Sequence, residues 1–158
     1  MEIDRFALPQ IARPEILGDD GHRIPFGSRW GMHAPPEHAY GVASHTERYA
    51  PLHDVADALL AHMLATRESS VEESPPERGE LRAVTLRADA RGGRRPRLAS
   101  IRLAWTDFPG VTADIGRDVL EAAPVCGCDA CDEDVVAAAE SWCDRVRRAI
   151  ADWPRRDA

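Results

Sequence analysis

The stretch Ser100-Ile101-Arg102-Leu103-Ala104-Trp105-Thr106 decides the fold. Ile101, Leu103 and Trp105 fall on every second position and alternate with Ser100, Arg102 and Ala104, the period of a strand with one buried face. Upstream, Val84, Leu86 and Ala88 alternate with Arg or Thr in the same way. The two segments therefore predict an antiparallel hairpin. Its connection, Asp89 to Arg97, is too long and glycine-rich for a tight turn. Downstream, Asp107-Phe108-Pro109-Gly110 has turn chemistry: proline presets φ and glycine tolerates positive φ. Val111, Ala113 and Ile115 then give a third alternating strand, and Val119-Leu120 marks the start of a possible fourth.

On either side of these strands the period becomes helical. Leu52, Val55, Ala56, Leu59, Leu60, Met63 and Leu64 recur at the spacing of one helix face, which predicts a helix over 48–66. Ser44-His45-Thr46-Glu47 has capping-box spacing before it. Pro35-Pro36-Glu37 suits the opening of a shorter helix ending near Ser44. At the other end, Val136, Ala139, Cys143, Val146, Ile150 and Trp153 form the apolar stripe of a C-terminal helix. Asp132-Glu133-Asp134 lie at its start, Arg145, Arg147 and Arg148 near its end, and Pro154 stops it.

Residues 1–35, rich in Pro, Gly and mixed charge, read as an extended N-terminal arm. Its Ile24-Pro25-Phe26-Gly27-Ser28-Arg29-Trp30-Gly31-Met32 tract would drape apolar side chains over the core. Residues 67–80 are acidic, small and proline-containing, the composition of a flexible linker. The expected architecture is a single α+β domain over 36–153, with a tail at 154–158. A three- or four-stranded antiparallel sheet packs against two main helices in the order α-β-β-β-(β)-α.

The 158 residues carry a net charge of −7, and all 20 basic residues are arginine. That balance disfavours general binding to nucleic acid or an anionic membrane. No apolar run approaches the roughly 18 residues needed to span a bilayer. The start, Met1 to Arg5, lacks the basic and apolar regions of a signal peptide, so a cytoplasmic protein is expected. In a reducing compartment clustered cysteines point to metal or catalysis ahead of structural disulfides.

Three of the four cysteines stand together in Pro124-Val125-Cys126-Gly127-Cys128-Asp129-Ala130-Cys131-Asp132-Glu133. Thiolates are the preferred soft ligands of zinc, and Gly127 lets the backbone bend so that Cys126, Cys128 and Cys131 face one ion. Between Asp118 and Asp144 there are eight acids and no base, a local field that attracts cations and raises thiol pKa values. Structural zinc takes four ligands. Cys143 lies about 18 Å of helix beyond Cys131 and reads as a core thiol. His45, His53, His62 or an acid remain for the fourth position. Two other readings stay open: a redox dithiol at Cys128 and Cys131, in the Cys-x-x-Cys spacing of thiol oxidoreductases, and thiols that only pack. Arg87, Arg91, Arg94, Arg95 and Arg97 read as a solvated hairpin tip. His33, Glu37, His38 and His45 match no metal spacing.

The chain resembles a family of small actinobacterial proteins that carries a domain-of-unknown-function label. The resemblance lies in Arg29-Trp30-Gly31, Pro35-Pro36-Glu37 with Tyr40, Glu47-Arg48-Tyr49-Ala50-Pro51-Leu52-His53 with Ala56-Asp57-Ala58-Leu59, Thr106-Asp107-Phe108-Pro109-Gly110-Val111, and above all Cys126 to Glu133. It implies no established activity, and Cys143 lies outside the family pattern. The expectation is a non-enzymatic binding or adaptor domain for a protein or small-molecule partner, with structural zinc at Cys126, Cys128 and Cys131. The alternative is a thiol-disulfide oxidoreductase or redox sensor using Cys128 and Cys131.

Overall fold

A computed structural model describes residues 6–89, 95–116 and 118–156. Its centre is an antiparallel meander of β1 (Ser69–Ser74), β2 (Glu80–Ala88), β3 (Ser100–Thr106), β4 (Gly110–Asp114) and β5 (Leu120–Ala123), neighbours in space in chain order. Two helices complete it, α1 (Pro51–Thr66) before the sheet and α2 (Val135–Ala149) after it. The expected α+β class and the enclosing helices are present. The sheet has five strands where three or four were expected.

The period-2 pattern sorts the sheet into two faces. Val84 pairs with Leu103 and Leu86 with Ile101, while Leu103 and Trp105 pair with Ala113 and Val111. All of these side chains are buried, and they share one core with Leu52, Val55, Leu59 and Met63 of α1 and Ala139, Trp142, Cys143 and Val146 of α2. Both helices therefore lie on the same apolar face. The other face carries paired charges, with Arg102 donating to Glu80 at 2.6 Å and Arg87 to Glu72 at 3.0 Å.

The fifth strand comes from the segment expected to be a flexible linker. Residues 69–74 form β1, in register with 83–88 of β2. The acids that read as solvating are cross-strand partners: Glu72 accepts from Arg87, and Glu73 from Arg82 at 3.2 Å. Opposite charges across a strand pair stabilise the pairing that an isolated acidic run lacks. Short length and charged side chains also suit an edge strand.

Three helix boundaries differ from expectation. Pro36 opens only a single 3-10 turn, Glu37–Ala39. Thr46–Tyr49 is another, and α1 starts at Pro51 with no side-chain cap. Ser44 does not form the expected capping box because its hydroxyl donates to the Asp129 carboxylate at 2.6 Å. A charge-assisted bond outcompetes a neutral cap. The acids before α2 are likewise not a first helical turn. Asp134 is the N-cap and accepts from the amides of Val136 and Ala137 at 3.0 Å, while Asp132 takes a φ of +46°.

Phe6, Leu8 and Ile11 of the arm pack against the core. In the Ile24–Met32 tract expected to do so, Met32 is 99% exposed and Phe26 instead lies under the guanidinium groups of Arg29 and Arg48. The C-terminal residues fold back, with Arg156 N donating to Thr66 O at 3.0 Å and Glu68 N to Pro154 O at 2.9 Å. Arg91 and Arg94 of the expected hairpin tip lie outside the described residues.

Candidate metal centre

The knuckle is a loop between β5 and α2, held from three sides. It leaves the sheet through a cis Ala123–Pro124 peptide. Gly127 then adopts a φ of +76°, and a Cβ built there would lie 2.6 Å from Cζ of Phe108, so the turn and the close approach both require glycine. Asp129 N donates to Val42 O at 2.7 Å and Ala130 N to Ala39 O at 3.1 Å, which fastens the loop to residues 39–42. Glu133 bridges the loop's own ends, its carboxylate accepting from the amides of Val125 at 2.9 Å and Cys126 at 2.8 Å.

This backbone brings the expected residues together. The sulfurs of Cys126, Cys128 and Cys131 lie within 4.8 Å of one another, the geometry of a site that can hold a metal ion. Cys126 and Cys131 are exposed and Cys128 is half-buried. The three thiols form a small network. The Cys131 amide, then the Cys126 and Cys131 thiols, hydrogen-bond to Cys128 and draw its pKa down to about 7. Donation to Cys126 and Cys128 pushes Cys131 up to about 12. Cys143 is buried on α2, where burial raises its thiol to about 12, so it belongs to the core as expected.

The acidic setting is organised differently from its sequence. The run from Asp118 to Asp144 contains no base, yet arginines from the N-terminal arm meet its acids. Arg29 Nε donates to Asp132 at 2.7 Å and its backbone amide to the same carboxylate at 2.9 Å. Its Nη2 donates to Asp129 O at 3.1 Å, as does Trp30 Nε1 at 3.0 Å. Asp129's carboxylate receives both the amide and the hydroxyl of Ser44. Burial pushes the Asp129 pKa up, but the Ser44 bonds and the charges of Arg29 and Arg48 outweigh it and leave the group below its ordinary value. Arg13 makes two 3.1 Å bonds to Asp134. These carboxylates brace the loop, and their charge is locally answered. Sequence order hid this because Arg29 and Asp132 are about a hundred positions apart.

Arg48 was not anticipated as part of this region. Buried beside the knuckle, it donates to Ser44 O at 3.1 Å and to the Tyr49 hydroxyl at 2.8 Å, and the Tyr49 hydroxyl donates in turn to Glu133 O at 3.3 Å. Its guanidinium stands 4.3 Å from the Phe26 ring centroid and 4.6 Å from that of Tyr49, a cation–π setting. The clue available in the sequence was Glu47-Arg48-Tyr49, which reads as an ordinary helix start.

None of the histidines considered for a fourth ligand joins the sulfur cluster. His53 Nε2 donates to the carbonyls of Thr106 and Gly110, both at 3.1 Å, stapling α1 to the β3–β4 turn. His45, at a φ of 52°, lies edge-on to Phe26 and near Glu47, and the His62 ring lies tilted against Phe6. Among the described residues the cluster consists of the three cysteines.

The fold and site thus define an α+β domain carrying a three-cysteine cluster on a braced loop. The chain belongs to a family described as a family of unknown function (DUF6226), which matches residues 12–153. Comparisons with curated proteins and with solved structures find no match. Among the described residues no helix is long and apolar enough to cross a membrane.

Proposed function

We propose that this protein is a non-enzymatic binding or adaptor domain that holds a zinc ion through Cys126, Cys128 and Cys131. The observation that carries the reading is the convergence of three sulfurs within 4.8 Å on a loop fixed by hydrogen bonds to its neighbours. Thiolate sulfurs about 2.3 Å from a tetrahedral zinc sit just under 4 Å apart, so small side-chain adjustments close the set on an ion. Bracing by Arg29 and Ser44 supports the same reading, because a ligand loop held before binding loses less conformational freedom on binding. A metal-to-protein ratio near one in reduced protein, lost with thermal stability on chelation, is the expected result. A metal-free protein with unchanged melting after zinc addition would overturn it.

A thiol-disulfide role for Cys128 and Cys131 is supported by the approach of their sulfurs to within 4.8 Å, with hydrogen bonds inside the cluster lowering the pKa of the Cys128 thiol and raising that of Cys131. In that role the Cys128 thiolate attacks a partner disulfide. Cys131 then loses its proton and displaces the partner, leaving a Cys128–Cys131 disulfide and a reduced dithiol. The pair does not open a helix as redox Cys-x-x-Cys motifs do, since α2 begins at Val135. Metal binding is accordingly preferred.

A further inference from the structure

A tetrahedral ion held by three protein ligands has one position left, and the surroundings of the knuckle bear on how it is filled. Asp129 is bonded to Ser44 and Arg29, Asp132 to Arg29, and Glu133 to the Val125 and Cys126 amides. His53 is occupied at two carbonyls. Residues 1–5, 90–94, 117 and 157–158, which lie outside the described set, include neither cysteine nor histidine. Two of the three ligand residues, Cys126 and Cys131, are exposed, and Val125 beside them is 71% exposed. A structural site supplies all four ligands itself, whereas three protein ligands leave a fourth position for an exchangeable one.

Resting on the metal reading above, we infer that the fourth position faces solvent and is filled by a soft donor from outside this chain, a thiolate or an imidazole. The step is ligand substitution without redox change. A bound water leaves as the new donor bonds to the metal; an incoming thiol releases its proton to solvent, and a neutral imidazole releases none. The exposed apolar side chains of Val125 and Val42, flanking the knuckle, suit a donor carried on an organic molecule.

Cobalt(II) loaded into the reduced full-length protein under anaerobic conditions tests this. Thiolate-to-metal charge-transfer absorption reports the sulfurs, and the ligand-field bands report the fourth donor. Expected is a saturable shift of the ligand-field bands with imidazole and, in a separate titration, with 2-mercaptoethanol, equal in the wild type and in His38→Ala. Response to only one of the two identifies the donor class and still supports the inference. Charge-transfer bands with ligand-field absorption that neither compound moves would overturn it while leaving the metal reading intact. So would a response gained only in His38→Ala, because His38 adjoins Ala39, whose carbonyl bonds the knuckle, and would then be the resident fourth ligand. Failure to bind cobalt at all would instead remove the metal reading itself.

Discussion

Gly127 holds a φ of +76° with Phe108 Cζ only 2.6 Å from where its Cβ would stand, so both backbone and neighbour oppose any side chain. Gly127→Ala is expected to destabilise the protein by about 1–3 kcal/mol, the usual cost of a strained backbone position, and to weaken metal binding together with stability. Urea unfolding and a zinc competition assay measure the two effects; unchanged values in both would show that the turn is not constrained as described. Arg29 acts at the same scale through different physics. Its side chain is 11% exposed and that of Asp132 is 5% exposed, so their 2.7 Å contact is well shielded from water. Arg29→Ala leaves that carboxylate without its cation, a loss on the order of 3 kcal/mol for a buried pair. Arg29→Lys restores the charge but not the fork that reaches both Asp132 and the Asp129 carbonyl. Denaturation midpoints should therefore rank wild type above the lysine variant and the lysine variant above the alanine variant. Equal midpoints for all three would contradict the bracing role.

At the scale of elements, the helix stripes were legible because burial on one face imposes a 3.6-residue period whatever lies opposite. Leu52, Val55, Ala56, Leu59, Leu60 and Met63 of α1 are all buried. In α2 the stripe read from sequence omitted Trp142, which is fully buried and donates its indole N–H to Glu121 O at 3.3 Å. Adjacent to Cys143, it widens the apolar face beyond the narrow row that spacing selects. Trp142→Ala should cost about 3–5 kcal/mol, as large-to-small core changes do, and calorimetry would register a matching fall in Tm. A loss below 1 kcal/mol would mean that α2 is not anchored there. Strand pairing adds a pH dependence. Arg102, hydrogen-bonded to Glu80, holds its carboxyl below the ordinary value. The pair's contribution is complete above the ordinary carboxylate pKa and is lost as pH falls through the lowered folded value. The stability difference between wild type and Glu80→Gln should therefore be largest near neutrality and shrink on acidification. A difference that is flat with pH would deny the pair its linkage.

For the molecule as a whole, the arm and the knuckle form one unit. Arg13, Arg29 and Trp30 all contribute bonds to residues 129–134, and the two arginines supply the counter-charges of the acidic loop. Alanine at both Arg13 and Arg29 should lower metal affinity less than it lowers stability, because the ligand sulfurs remain while their scaffold loosens. Isothermal titration beside thermal melts separates the two quantities, and an affinity loss with no change in melting would assign the arginines to the metal instead.

The sequence by itself determined the alternation that makes β2 to β4 a one-sided sheet, the two amphipathic helices that close it, and the six-residue cluster that supplies the sulfurs. These are local patterns, written in spacing. Only the tertiary structure decided that residues 69–74 are a strand, since a charged edge strand is stable only opposite Arg82 and Arg87 of β2. It alone decided that the acids near the cysteines face arginines from the arm, and that His53 serves two carbonyls. The physical reason is common to all three: a charge or hydrogen-bonding group is defined by the partner it meets, and these partners are brought close only when distant parts of the chain pack together.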